Sequence, residues 1–413
     1  MADGLLSGFR ALDVTNKKGF IAGKILATLG VETIKIEPPG GDPSRNIYPF
    51  YQDNPDPEKS LYWLAYNTDK RSITLNLESS QGQDIFRRLG KTADFVLESF
   101  PAGYMTSLGL GYEKLAQLNP RIIVTSISDF GQKGPYSNYK GCELIVSAMG
   151  GVLENTGDPD RPPVKESLDS CYFHGNVAAA LGTVTAHYYR EISGEGQQVD
   201  ISIQEVTASR RTMGLIAWEF DRRLLKRSGT MNQFGRHSFR WIWRCKDGYV
   251  YWQLFGGKHG SSANEALSQW IREDGLDNPL GEITDWQEFD MSTMTREKLD
   301  TWETAISQFF LNHTKAEIAE EGKKRGINSC IANNSSDVLE LPQLKSRDYW
   351  QKMKYDGQDF SQIYPRHFFL STETENFVKR PAPRVGEDNY VIYGEELGMS
   401  TSEISALKGL NVI

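Results

Sequence analysis

In the stretch VKESLDSCYFHGNVAAALG, residues 164 to 182, one carboxylate, Asp169, stands just ahead of a run of small apolar residues, and Tyr172 and His174 follow it. Two chemistries are open to it. A carboxylate there can cap a helix, because its oxygen accepts backbone N–H groups that have no partner in the first turn. It can also attack an activated carbonyl and carry an acyl group covalently. Elsewhere, EPPGGDPSR (residues 37 to 45) joins a Gly-Gly turn to Arg45, and Lys70 and Arg71 sit at the start of a β-type run. Such a turn lets backbone approach a ligand, and a guanidinium can pair with phosphate. The same residues also read as solvated turn charges. There is no GxxxxGK[ST] loop, and GEGQQ (residues 194 to 198) does not complete a dinucleotide fingerprint, so ATP or NAD use is disfavoured.

The elements that would position these groups alternate. FRALDV (9 to 14), ETIKIE (32 to 37), SITLNL (72 to 77), DFVLESF (94 to 100) and RIIVTSISDFG (121 to 131) read as strands, with helical patterns such as IAGKILATLG (21 to 30) between them. Alternation of this kind implies parallel strands with helical crossovers, whose carboxyl ends are where ligands bind. After about Thr207 the character changes. A basic helical stretch (208 to 227) leads to SFRWIWRCKDGYVYWQLFGG (238 to 257), which reads as a hairpin turning at Asp247-Gly248, and then to charged helices such as TKAEIAEEGKKRG (314 to 326). The expected organisation is a large domain begun by residues 1–207, a linker helix at 208–227, a small α+β domain at 228–341 and a returning C-terminal segment at 342–413.

At 413 residues the chain is long enough for two domains, and 39% hydrophobic with 24% charged residues describes a globular protein. No stretch approaches the roughly 20 apolar residues that cross a bilayer. The N-terminus lacks the pattern of a signal peptide. Four scattered cysteines without a CxxC pair argue for reduced thiols in the cytoplasm, and against a metal site. A net charge of −8 disfavours general nucleic-acid binding.

Nine ordered motifs resemble the class III CoA-transferases, of the formyl-CoA transferase and carnitine CoA-transferase type. They are LSGFRALDVT, LGVETIKIEPPGGDPSR, NTDKRSITLNL, DFVLESFPAGYMTSLGLGYEKLAQLNPRIIVTSISDFGQKGPY, GCELIVSAMGG, GEGQQVDISIQE, DGYVYW, RGINSCIANNSSDVLELPQLKSRDYW and RPAPRVGEDNYVIYGEEL. The resemblance implies an α/β fold: a Rossmann-like large domain with a parallel sheet, a smaller α+β domain, and two subunits interlocked as a dimer. It implies transfer of CoA from an acyl-CoA such as succinyl-CoA to a carboxylic acid, through an aspartyl anhydride and an aspartyl-CoA thioester. CoA is then a carrier substrate, with no permanently bound cofactor. By the same resemblance Asp169 is the candidate nucleophile. Arg45, Lys70, Arg71, Leu75, Ser99, Phe100 and Lys140 fall near CoA. Lys18, Glu143, Tyr172 and a flap at Gly256, Gly257 and His259 fall on the substrate side.

The chain departs from the family pattern at telling places. The nucleophile of the relatives lies about three residues closer to GEGQ than Asp169 does, which puts Tyr172 in its place. Three residues are close to one helical turn, roughly 4.5 Å. Lys17 and Lys18 stand where many relatives are neutral, Ser107 and Glu78 where basic residues are usual, and Glu143 where Asp is usual. Cys142 replaces the His of related racemases, which ranks a racemase below a transferase. These departures resemble one subunit of the heteromeric members, in which a paralogous partner supplies the working Asp. An active homodimer using Asp169 and a non-catalytic CoA-binding or scaffold chain are the alternatives. Trp218, Trp241, Trp243 and Trp252 could line an apolar acid pocket or pack a core.

Overall fold

The computed structural model describes residues 4–234, 237–258, 260–355, 361–374 and 377–413. The chain forms two compact units. The first comprises Met1–Leu153, Lys165–Leu224 and Pro342–Ile413, and the second Glu154–Val164 and Leu225–Leu341.

In chain order the first unit holds β1 (Arg10–Val14), α1 (Phe20–Thr28), β2 (Glu32–Glu37), α2 (Leu61–Tyr66), β3 (Lys70–Thr74), α3 (Ser80–Gly90), β4 (Phe95–Glu98), α4 (Tyr104–Ser107), α5 (Tyr112–Leu118), β5 (Ile123–Ser128), α6 (Glu143–Met149), α7 (Ser170–Ser193), β6 (Gln198–Ser202), α8 (Ile203–Ser209) and α9 (Thr212–Asp221). The six strands make one sheet, ordered β3-β2-β1-β4-β5-β6, with every neighbour parallel. This is the doubly wound order, and the strand sequence reverses direction between β1 and β4. Alternate residues feed two cores. Leu12, Ile34, Val96 and Val124 pack on one face, and Ala11, Phe95, Leu97 and Ile123 on the other. That two-sided burial is why apolar residues fall at consecutive positions, as at Ile123 and Val124, instead of strictly alternating.

The third strand differs from its expected span of 72 to 77. It starts at Lys70 and ends at Thr74, because Asn76 turns the chain: its side-chain oxygen accepts the Glu78 N–H at 3.0 Å. β6 was not among the expected strands. Gly194 ends α7 in a left-handed conformation (φ 80), so the first glycine of GEGQQ is a helix stop.

The C-terminal segment returns to this unit and closes one core with Ile392, Tyr393, Val412 and Ile413. Asp388 accepts the Ser72 N–H at 2.8 Å, and the Tyr393 hydroxyl donates to the Thr74 carbonyl at 2.6 Å. Two apolar faces remain uncovered within the unit. Phe173, Val177, Leu181, Tyr188 and Ile192 are exposed along α7 at helical spacing. On α9, Met213, Leu215, Ile216, Trp218 and Phe220 are exposed while only Ala217 is buried.

The second unit is built on a three-stranded antiparallel sheet of Ile242–Cys245, Gly248–Trp252 and Ser329–Ala332. Lys246-Asp247 forms the hairpin turn, and Gly248 pairs with Cys245 as the first residue of the next strand. Trp243 and Trp252 are fully buried core residues beside Trp302, Phe309 and Phe310. This removes them from any acid pocket. α9 belongs to the first unit, and 154–164 joins the second, where the Arg227 guanidinium holds the Glu154 carbonyl at 2.7 Å. The helix Lys315–Arg325 carries the start and stop its sequence announces: a Thr314/Glu317 capping box and a left-handed Gly326.

Candidate active site

Asp169 occupies the N-cap position of α7, yet its side chain makes no capping bond. Its carboxylate is one-third exposed and pairs with Lys165 at 3.0 Å. The cap comes from Glu143, at the start of α6. Its two oxygens accept the Cys171 N–H at 2.8 Å and the Tyr172 N–H at 2.9 Å. A buried carboxylate on two orphan amides at a helix N-terminus answers both the missing bonds and the helix dipole.

Tyr172 is buried, and its phenol reaches the Asp129 carboxylate at 3.4 Å. Burial first, and then the negative charge of Asp129, pushes the phenol pKa far up, so it stays protonated. The other Asp129 oxygen is paired with the Lys18 ammonium. Asn176 clasps the same loop. Its amide nitrogen donates to the Lys18 carbonyl at 2.6 Å and the Tyr172 carbonyl at 2.7 Å, and its oxygen accepts the Ala22 N–H at 2.9 Å. The start of α7 and the β1–α1 loop are thus one hydrogen-bonded assembly.

That loop opens on a cleft of ≈ 780 Å3 at the carboxyl ends of β1 to β4. Residues 14–18, the Pro38-Pro39 turn, residues 75–78, Phe100 and Tyr104 line it. It lies at the topological switch point, where doubly wound sheets bind ligands. Among the sequence candidates, Lys18, Leu75 and Phe100 come together in its wall. Ser99 lies behind, its hydroxyl accepting the Asn16 N–H at 2.8 Å. Glu98 is buried, accepts the Phe100 N–H at 2.8 Å, and burial pushes its carboxyl up to about 7.

The three expected phosphate-binding cations are placed differently. Arg45 is 1% exposed, grips Glu37 through two bonds of 2.7 and 2.8 Å, and stacks on Trp63 at 3.7 Å. Gly41 permits this, since a Cβ there would fall 3.2 Å from the Arg45 side chain and its φ is +97°. Lys70 is fully buried, and its ammonium donates to Asp13, Asn67 and the Phe20 carbonyl at 2.8 to 2.9 Å. All three of its donors are engaged. Burial lowers its pKa to about 8, against the opposing pull of Asp13. Arg71 bridges Glu32 and Glu396. These cations hold the first unit together and do not line the cleft.

Lys140 is exposed on the segment entering α6. Gly256 and Gly257 lie in the second unit, where the Gly257 N–H donates to the Phe289 carbonyl at 3.0 Å. His259 lies outside the described residues. Asp169 makes its charge felt at the phenols of Tyr62 and Tyr66, and the Tyr62 hydroxyl contacts the Lys17 carbonyl at 3.5 Å. Asp129 and Asn176 were not anticipated. The one available signal was a charged residue just past the carboxyl end of a strand.

Among the described residues, no group of three or more His, Cys, Asp or Glu side chains could hold a metal ion, and no helix is long and apolar enough to cross a membrane.

The sheet order and a switch-point cleft define a Rossmann-type domain suited to a nucleotide-like ligand. Residues 6–389 match CoA-transferase family III, and the chain belongs to that family. It is therefore a CoA-transferase chain, an enzyme or a subunit of one. It is 29% identical to succinyl-CoA:(R)-benzylsuccinate CoA-transferase subunit BbsE of Thauera aromatica, over 98% of each chain. It is 27% identical to the formyl-CoA:oxalate CoA-transferase of Streptomyces coelicolor, over 99% of each. Its fold is similar to that of a CAIB/BAIF family protein from Brucella suis, with TM-score 0.81 and 23% identity, covering 95% of this chain and 99% of that one.

Proposed function

We propose that this chain binds an acyl-CoA thioester, of the succinyl-CoA kind, in the switch-point cleft and takes part in CoA transfer to a carboxylic acid. In this reading it acts as one subunit of an interlocked pair, and a paralogous second chain supplies the attacking carboxylate. The reaction needs a carboxylate to attack the thioester carbonyl, expelling CoA thiolate and forming a mixed anhydride. The thiolate then attacks the anhydride, releases the donor acid and leaves an aspartyl-CoA thioester, and the acceptor acid reverses the sequence. CoA enters and leaves as a substrate, and the reaction calls for no resident cofactor.

The observation that carries this reading is Tyr172. At the place where the family pattern sets the nucleophile stands a buried, protonated phenol tied to Asp129. The exposed apolar faces of α7 and α9 support a second chain, because contiguous uncovered apolar surface marks an interface. The word subunit in the Thauera relative's name supports a heteromer in particular. The scattered, unpaired cysteines support a cytoplasmic setting.

A second reading uses Asp169 itself. It is favoured by the reach of its charge to Tyr62, which touches the cleft loop. Rate measurements on the purified chain, alone and after co-purification with its paralogue, separate the two. The proposal expects CoA binding without turnover alone and CoA transfer by the pair. Full turnover by the isolated chain would overturn it.

A further inference from the structure

Two residues with unpartnered buried polar atoms line one cavity, away from the cleft. His367 is 7% exposed, and its Nε2 has no hydrogen-bond partner among the described residues. The Thr374 hydroxyl is buried and equally unpartnered. Both residues line a cavity of ≈ 290 Å3 in the C-terminal segment, and no residue of that lining belongs to the cleft. Buried polar groups are paired with few exceptions, so two orphans in one wall point to a partner that enters the cavity.

The backbone sets this wall. Trp350–Lys354 and Ser361–Pro365 pair antiparallel, and just beyond their open end the Arg366 N–H donates to the Tyr349 carbonyl at 2.7 Å. That bond brings Arg366 and His367 beside Arg347 and Asp348, where the chain turns with Asp348 left-handed (φ 50). The His367 ring packs on Tyr349 with centroids 5.6 Å apart. Charge in the wall is positive. Asp348, the one acid among the described lining residues, pairs with Arg366, whose guanidinium also lies over the Phe377 ring at 5.4 Å. Arg347 forms no ion pair among the described residues.

We infer that this cavity is a binding site for a small carboxylic acid with an apolar body, separate from the cleft and independent of the CoA-transfer reading. Guanidinium groups hold carboxylates through paired N–H donors, and the Arg347 charge is free to do so. The Thr374 hydroxyl and the Nε2–H tautomer of His367 add two donors for which a carboxylate has acceptors to spare. Phe369, Leu370 and Phe377 line the same space and give the body of the acid its contacts. A phosphate leaves these apolar side chains uncovered. The volume sits at the lower bound of ligand pockets, about 300 Å3, which fits a single ring or a short chain.

The test is calorimetric titration of the full chain with benzoate, its neutral isostere benzamide and inorganic phosphate. Benzoate should bind one site, with the same affinity in the presence and absence of saturating CoA. Benzamide loses the charge-assisted pairing and phosphate the apolar contacts, so each should bind about tenfold or more weakly. Arg347→Gln, Thr374→Val and His367→Phe, the last of which keeps a ring against Tyr349, should each weaken benzoate about tenfold. Without benzoate, Thr374→Val and His367→Phe should melt no lower than wild type, because each replaces an unpartnered polar group. Lower melting in both would show these groups already paired and overturn the inference. Benzoate held equally by wild type and all three variants, or displaced by CoA, would place it elsewhere and overturn it as well. So would tighter binding of phosphate than of benzoate, or binding of none of the three.

Discussion

Replacing Glu143 by Ala should loosen the start of α7 far more than replacing Asp169 by Ala, although Asp169 is the residue next to the helix. Glu143→Ala removes both acceptors from the Cys171 and Tyr172 amides, which sit at buried residues. Hydrogen bonds to charged groups contribute roughly 1.5–3 kcal/mol each, and orphaned buried donors cost about 1–3 kcal/mol. A loss of about 2–5 kcal/mol in local opening free energy follows. Asp169→Ala removes a one-third-exposed pair with Lys165 at 3.0 Å, worth about 0–1 kcal/mol. Hydrogen-exchange mass spectrometry of the peptide spanning residues 168–176 reads this directly. Exchange there should rise by about 30-fold or more in Glu143→Ala, since about 2 kcal/mol is already close to that factor. It should be nearly unchanged in Asp169→Ala. Equal acceleration in both variants, or none in Glu143→Ala, would refute the capping assignment.

Arg45→Ala should lower stability through Glu37, left buried and uncompensated, by about 3–5 kcal/mol, and chemical denaturation would show it. A fully stable variant that merely weakens CoA binding would restore Arg45 to the cleft. Glu98 has a folded pKa raised from 4.5 to about 7, so the unfolded chain loses its proton first and stability falls as pH rises between those values. Glu98→Gln should therefore gain stability relative to wild type at pH 8 but not at pH 4.5, by on the order of 3 kcal/mol at most. Denaturation curves at both pH values check it, and a pH-independent difference would count against it. Leu181→Asp or Phe220→Asp, on the exposed faces of α7 and α9, should weaken association of the two chains in sedimentation without unfolding the first unit. Undisturbed association would exclude those faces from the interface.

The parallel strands were legible because burial on both faces puts apolar residues at consecutive positions, as at Ile123 and Val124, which feed opposite cores. β6 was harder to read, since its burial alternates and its sequence QVDIS is half polar. The pair Trp350–Lys354 with Ser361–Pro365 was not among the expected strands either. The start of α7 was visible, but its cap was not. Glu143 arrives from 28 positions upstream, and only the packing of α6 on α7 brings it there. Arg45 and Lys70 looked like cleft charges because local sequence cannot reveal that Glu37 and Asp13 wait inside to neutralise them. Lys18, Leu75 and Phe100 line the cleft because each follows the carboxyl end of a strand, where topology fixes proximity.

The central claim is that the carboxylate forming the covalent intermediates belongs to a second chain. Intact-mass spectrometry of the purified complex, quenched during turnover with succinyl-CoA, tests it most directly. The account predicts an acyl or CoA adduct on the paralogous partner and an unmodified mass for this chain. An adduct on this chain, mapped to the peptide containing Asp169, would contradict it.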